Sequence, residues 1–170
     1  MRRSVPQPPE ASPEYTGSMT DPSTEALSRF FETSPAAKKA TRSLVRDARV
    51  GLTLDSGPAR FSMAAGEGRV EEGAEADPDF TLTLPEGAVK HITGIRGDDV
   101  GEFGIEFFKL LLAREPERRV RVHVHASTAR LVSHGYLGVL AAGGAKVGWW
   151  LLKNGVRNPK AAIDRLRGGG

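Results

Sequence analysis

The apolar positions of this chain are unevenly spread, and the densest run lies between Asp98 and Trp150. Val100, Phe103, Phe107, Leu110 and Leu111 recur at three- and four-residue spacing, which predicts one face of a helix. Ile105, Phe108 and Leu112 widen that face until the last two turns are apolar almost all round, the pattern of a helix covered on several sides. Beyond Arg114-Glu115-Pro116, Val120, Val122, Val124 and Ala126 alternate with Arg121, His123 and His125. That period of two predicts a strand over Arg118 to Ala126 with one covered face and one wet face. Leu131 to Leu152 then reads as a single long apolar helix, rich in glycine and alanine.

Upstream, the same patterning predicts shorter elements. Asp21-Pro22 is a helix start, a capping carboxylate followed by proline at the first helical position, and Leu27, Phe30 and Phe31 form that helix's apolar edge. Thr33-Ser34-Pro35 ends it and caps a second helix, about Ala36 to Arg46. Val50, Leu52 and Leu54 alternate with Gly51 and Thr53 in a first strand, closed by Asp55-Ser56-Gly57-Pro58. Phe61 and Met63 mark a second strand, Gly66-Glu67-Gly68 a turn, and Arg69 to Glu72 a third strand. Phe80, Leu82 and Leu84 mark a fourth, after which Pro85 starts a helix ending near Gly94, with Val89 and Ile92 inward. Gly97-Asp98-Asp99 caps the long helix, Ser127 or Thr128 caps the last one, and Asn154-Gly155 ends it. Asn158-Pro159 starts one more short helix. The fourth strand reaches the fifth through helices, so some pairing in an otherwise antiparallel sheet is expected to be parallel. The wet face of the fifth strand sends the helices to the other side. The fold class expected is α+β: a five-stranded, mixed but mainly antiparallel sheet with helices gathered on one face.

Composition sets the boundaries. Residues 1–20 hold four prolines and few large apolar residues, so they are expected to be a disordered tail; 21–156 form the folded domain; 157–170 are a short helix and a frayed glycine tail. The absence of cysteine excludes a disulfide framework, a thiolate nucleophile and thiolate-bound metal. With no apolar run after Arg2-Arg3, no secretion signal is expected, and a cytoplasmic location is expected. The 24 Lys and Arg against 21 Asp and Glu make a weakly basic chain. Lys38, Lys39, Arg42, Arg46 and Arg49 cluster on one helix and its exit, but no aromatics are interleaved to stack bases, so no nucleic-acid partner is expected.

Candidate chemistry is sparse. His123 and His125 share a strand face, as two metal ligands would, yet no carboxylate with metalloprotease spacing accompanies them, and a wet surface pair is the better account. Asp98-Asp99 reads as a helix cap rather than a cation site. The glycines near 66–73 and 94–104 lack the lysine-serine or lysine-threonine of a phosphate loop, and no Gly-x-Ser-x-Gly elbow occurs. No catalytic residue, metal or cofactor is therefore expected, and the chain reads as a non-enzyme. Gly135 to Leu152, eighteen residues with Lys146 as their single charge, admits three readings: a helix packed on the sheet, an interfacial helix or a membrane span. Five glycines and a central lysine favour the packed helix.

The segments "ARVGLTLDSGPARFSM", "GRVEEGAEADPDFTLTLPEGAVKHITG" and "RRVRVHVHASTARLV", in this order, resemble the sterol carrier protein type 2 domain family over roughly Ser34 to Leu152. The resemblance lies in pattern rather than in catalytic letters. It implies a five-stranded sheet with helices on one face and a tunnel between them for an acyl chain, acyl-CoA or sterol. Two features depart from it: a more apolar segment between strands four and five, and a longer last helix with "WWLL" near its end. The expected function is non-enzymatic binding or transfer of a fatty acid, acyl-CoA, sterol or isoprenoid, with Phe103, Phe107, Phe108, Leu111, Leu137 and Leu140 lining the apolar cavity. The alternative is an accessory protein that docks a partner or membrane through its terminal helix, with Trp149 and Trp150 at that contact.

Overall fold

The computed structural model describes residues 20–155, so the expected N-terminal tail and the helix expected at Asn158-Pro159 lie outside the described residues. Asp21 caps α1 (Pro22–Thr33), its carboxylate accepting from the Thr24 amide at 2.9 Å. Ser34 closes α1 and caps α2 (Pro35–Thr41), accepting from the Ala37 amide. The expected run to Arg46 stops at Thr41, because the exit is tied elsewhere. The Val45 N–H donates to the His134 carbonyl and the Ser43 hydroxyl to the Gly135 carbonyl, and these bonds outweigh helix propensity.

β1 (Arg49–Leu54), β2 (Gly57–Ala64) and β3 (Glu67–Glu72) form the expected meander, and β4 (Phe80–Leu84) follows the acidic loop. Next come α3 (Glu86–Gly94) and α4 (Val100–Leu111), the latter capped by Asp99, whose carboxylate accepts from the Glu102 amide. The sheet order is β3-β2-β1-β4-β5. The parallel pair is β1 with β4, Val50 opposite Phe80, whereas β4 and β5 are antiparallel. Two successive helices bring the chain back to the end where β4 finished, so β5 starts there, with Arg121 opposite Thr83.

β5 is shorter than its pattern: only Arg121–Val124 is paired strand. At one end the Arg118 and Arg119 amides turn back to the Glu115 carbonyl, and at the other the His125 and Ala126 amides converge on the Asp79 carbonyl. The long terminal helix is corrected more deeply. It is three helices, α5 (Thr128–Ser133), α6 (Tyr136–Ala142) and α7 (Gly144–Lys153). Gly135 at φ 87° and Gly144 at φ 61° break it, in a left-handed region that side chains rarely adopt. Among the described residues no helix is long and apolar enough to cross a membrane, which overturns the span reading of Gly135 to Leu152.

All helical packing is on one face of the sheet. There Val50, Leu52, Leu54, Ala59, Phe61, Met63 and Val70 are each at most 5 % exposed. The Phe31 ring of α1 lies 4.9 Å from that of Phe61, and the Phe30 ring 5.9 Å from Phe103 of α4, so α1 sits between sheet and α4. The opposite face carries Thr53, Arg60, Arg69, Glu71, Arg121 and His123 in water. The fold is the α+β arrangement expected.

Candidate functional site

Burial on the covered face falls off across the sheet. The inward residues of β1, β2 and β3 are buried, but Phe80 and Leu82 of β4 and Val122 and Val124 of β5 are only half-buried. The helical layer that closes over β3-β2-β1 is incomplete over β4 and β5. Tyr136 of α6 stands beside this half-covered strip, its ring meeting Phe80 edge-on at 5.0 Å, while Phe103, Phe107 and Leu111 of α4 are half-buried against the core. Three of the six residues expected to line a cavity, Phe103, Phe107 and Leu111, thus pack half-buried against the core. Phe108 is half-buried but leans towards α7, its ring 6.5 Å from that of Trp150. Leu137 and Leu140 stand on α6 at 52 % and 46 % exposure, and neither α5 nor α6 buries any side chain. Two open concavities lie elsewhere: one of about 700 Å³ against Leu44, Arg46, Arg49 and Met63, and one of about 310 Å³ against Asp21, Thr24 and Glu72.

α7 is fastened to α4 by close approach and charge. A Cβ on Gly104 would come within 2.9 Å of Val147, so only glycine lets the two helices meet there. Lys146 pairs with Asp99 at 2.7 Å and Glu102 at 3.1 Å. Its hydrogen bond holds the Asp99 carboxyl below the usual carboxylate range. The charge that interrupts the apolar stretch is thus an anchor to the N-terminus of α4. Asp99 caps α4 as read from the sequence, whereas Asp98 pairs with Lys39 of α2 instead.

The residue that sequence reasoning missed is Asp79. It sits just before β4 and is wholly inaccessible. Its Oδ2 accepts from the Arg49 amide at 3.0 Å, the Tyr136 hydroxyl at 2.8 Å and His134 Nδ1 at 2.7 Å. Arg130 Nε lies 2.7 Å from Oδ1, close enough for a strong ionic attraction although the N–H is not aligned as a hydrogen bond, which leaves Oδ1 without a true donor. Burial pushes the Asp79 carboxyl up, but the bonds from His134, Arg49 and Tyr136 outweigh it and hold it below its ordinary value. Burial and the adjacent carboxylate push the Tyr136 hydroxyl far up, so it stays a donor. This one carboxylate ties β1, α5 and α6 together at the edge of the half-covered strip, and the Asp79 backbone carbonyl holds the residues just past β5. The only sequence signal was an acidic side chain abutting an apolar strand, within a loop that reads as solvated.

The four histidines are dispersed. His123 and His125 stack edge-on at 4.6 Å on the wet face, His91 pairs with Glu106 at 2.9 Å, and His134 serves Asp79. Among the described residues no group of three or more His, Cys, Asp or Glu is placed to hold a metal ion.

No family model matches the chain, and no curated protein matches it. Among solved structures it is similar to a "UbiJ-SCP2 Ubiquinone synthesis protein", at 13 % identity over 71 % of this chain and 90 % of that one, with a TM-score of 0.39. A likeness that loose transfers neither ligand nor role. What the chain offers chemically is its own: a half-covered apolar strip with Tyr136 against Phe80, and one buried ionic cluster beside it.

Proposed function

We propose that this chain binds one hydrophobic molecule (a fatty acid, acyl-CoA, sterol or isoprenoid) against the half-covered strip of β4 and β5 and leaves it chemically unchanged. The observation that carries the reading is the drop in burial between β1 and β5 on a face that is otherwise closed. The pattern resemblance to sterol carrier domains points the same way. Phe103, Phe107 and Leu111 would supply the α4 wall, Phe108 its outer flank, and Leu137 and Leu140 a cover from α6. Each apolar Å² taken from water favours binding by about 25 cal/mol. With the described polar groups gathered at one edge around Asp79, discrimination between chains of similar length would be weak. Such a binding or carrying role fits the cytoplasm.

Native mass spectrometry of freshly purified protein tests this directly. The expected result is a discrete mass increment that extraction identifies as an intact lipid, together with saturable one-to-one uptake of a fluorescent fatty acid. A bare mass, with no saturable uptake of any of the four ligand classes, would end the proposal.

A further inference from the structure

β5 is an edge strand: in the order β3-β2-β1-β4-β5 it has β4 on one side and no strand on the other. Its backbone groups alternate between the two sides. The His125 amide donates to the Asp79 carbonyl, so His125, His123 and Arg121 turn their N–H and C=O groups towards β4, and Val122 and Val124 turn theirs outward. The Val120 amide, in phase with those two, donates away from the sheet to the Leu110 carbonyl of α4. Among the described residues no such partner reaches Val122 or Val124. The side chains along this edge form two sets. Val122 and Val124 face the covered side, where both are only half-buried. Arg121 and His123 face the wet side, with Arg119 just before the strand and His125 just past it, all four exposed. Their neighbours on that face are Thr81 and Thr83 of β4 and Gly51 and Thr53 of β1, none of them acidic. Neither Arg119 nor Arg121 makes an ion pair with a described residue. The carboxylates of the acidic loop are taken, Glu75 by Arg49 and Asp77 by Arg130, and Glu115 and Glu117 in the turn before β5 are matched by Arg114 and Arg118.

A strand laid along such an edge keeps its side chains in register with those of β5, alternate ones on each face. One set would lie against Arg121 and His123, the other against Val122 and Val124 at the open margin of the covered face. Carboxylates suit the first set and apolar side chains the second. A second copy of β5 would bring arginine and histidine, and no carboxylate, to face Arg121, and like charges directly opposite each other are unfavourable. A nucleic acid would meet the cations but leave the outward backbone groups and the valines unmatched, and among the described residues the wet face carries no Phe, Tyr or Trp to stack bases. We propose that an extended segment of a partner protein, with acidic and apolar side chains in alternation, adds to this sheet as a further strand alongside β5. The free edge is short, Val122 and Val124, so the association is weak and reversible, and charge sets the choice of partner. The pairing uses the outer edge, and it stands whether or not the strip of β4 and β5 holds a ligand.

The test uses the full chain and a blocked, fluorophore-labelled peptide of alternating Glu and Val, as long as an ordinary strand. Fluorescence anisotropy should show saturable binding that weakens with salt, and no binding of the matching Lys and Val peptide. Arg119→Gln combined with Arg121→Gln should weaken binding about twofold to thirtyfold, the equivalent of ~0.2–1 kcal/mol for each cross-strand pair lost. Both side chains are exposed and unpaired, so this variant keeps the fold and reads the proposal even if the next one folds poorly. Val122→Pro removes an outward N–H, a change that an edge strand tolerates, and should abolish binding. Added peptide should slow amide exchange at Val122 and Val124 and leave it unchanged at Arg121 and His123, which already bond to β4. No saturable binding, equal binding of the Lys and Val peptide, full affinity in the arginine variant, or binding without slowed exchange at Val122 and Val124 would overturn the proposal. So would tighter, arginine-dependent binding of single-stranded oligothymidylate, because a nucleic acid would then occupy the face, or a concentration-dependent dimer that Val122→Pro abolishes, because a second copy would then occupy the edge. Fatty-acid uptake measured without peptide tests the ligand reading separately, so either proposal can fail alone.

Discussion

Asp79 shows how much one side chain can decide. Its carboxylate is inaccessible and binds groups from β1, α5 and α6, so Asp79→Asn leaves Arg130 and His134 facing a neutral amide. Breaking a buried ionic cluster on one side typically costs about 3–5 kcal/mol, and a loss near the lower end is expected in chemical denaturation because the amide keeps some hydrogen bonds. The sign with pH follows from the direction of its shift. A carboxyl held below its ordinary value stabilises the fold above that value, and the contribution is lost as pH falls through its lowered native value. The stability gap between wild type and Asp79→Asn should therefore be widest near neutrality and close in acid, as read by denaturant midpoints across pH. Phe107 tests the proposed ligand binding at the same scale. Because it is only half-buried, Phe107→Ala should cost less than the 3–5 kcal/mol typical of a full core phenylalanine, while fatty-acid affinity falls. Phe107→Trp should block uptake with little change in thermal midpoint. A full core penalty with unchanged uptake would place Phe107 in the core instead.

Among the elements, the terminal helices depart furthest from their pattern, and the glycines explain where. Gly135 has φ 87°, and a Cβ there would lie 1.9 Å from the Ser43 carbonyl oxygen. Gly148 lies inside α7 with open space around it. The two should respond oppositely to alanine. Gly135→Ala should destabilise by about 2 kcal/mol or more, through strain and displacement of the α2 exit. Gly148→Ala should stabilise by up to ~1 kcal/mol, through helix propensity. Thermal unfolding of the pair checks both signs at once, and two changes of the same sign would mean that the breaks lie elsewhere. The elements that follow their pattern are those closed by local chemistry. Asp21, Ser34, Asp99 and Ser127 each cap the helix they precede in the sequence, each through a side chain accepting from an amide three residues on.

For the whole molecule, the composition of the first residues makes a prediction about the boundary of the folded unit. Residues 1–20 lack the apolar content to offset their ordering, so deleting residues 1–19 should leave the thermal midpoint unchanged. A drop of several degrees would show that the core extends into them. Alternation and spacing alone determined the five strands, the first four helix starts, the wet and covered faces of β5 and the α+β class, because each depends on residues within a few positions of one another. Tertiary structure decided the rest. The parallel pair fell between β1 and β4, the terminal helix broke where Ser43 meets Gly135 across 92 residues, and Asp79 went inside to meet Tyr136 across 57. The covered face stayed half-open over β4 and β5, because the helices that would close it, α5 and α6, are fastened by polar bonds at their junction and bury no side chain of their own. A helix's apolar stripe is written in its own residues, but what lies against that stripe is set by chain segments too distant in sequence for any local pattern to specify.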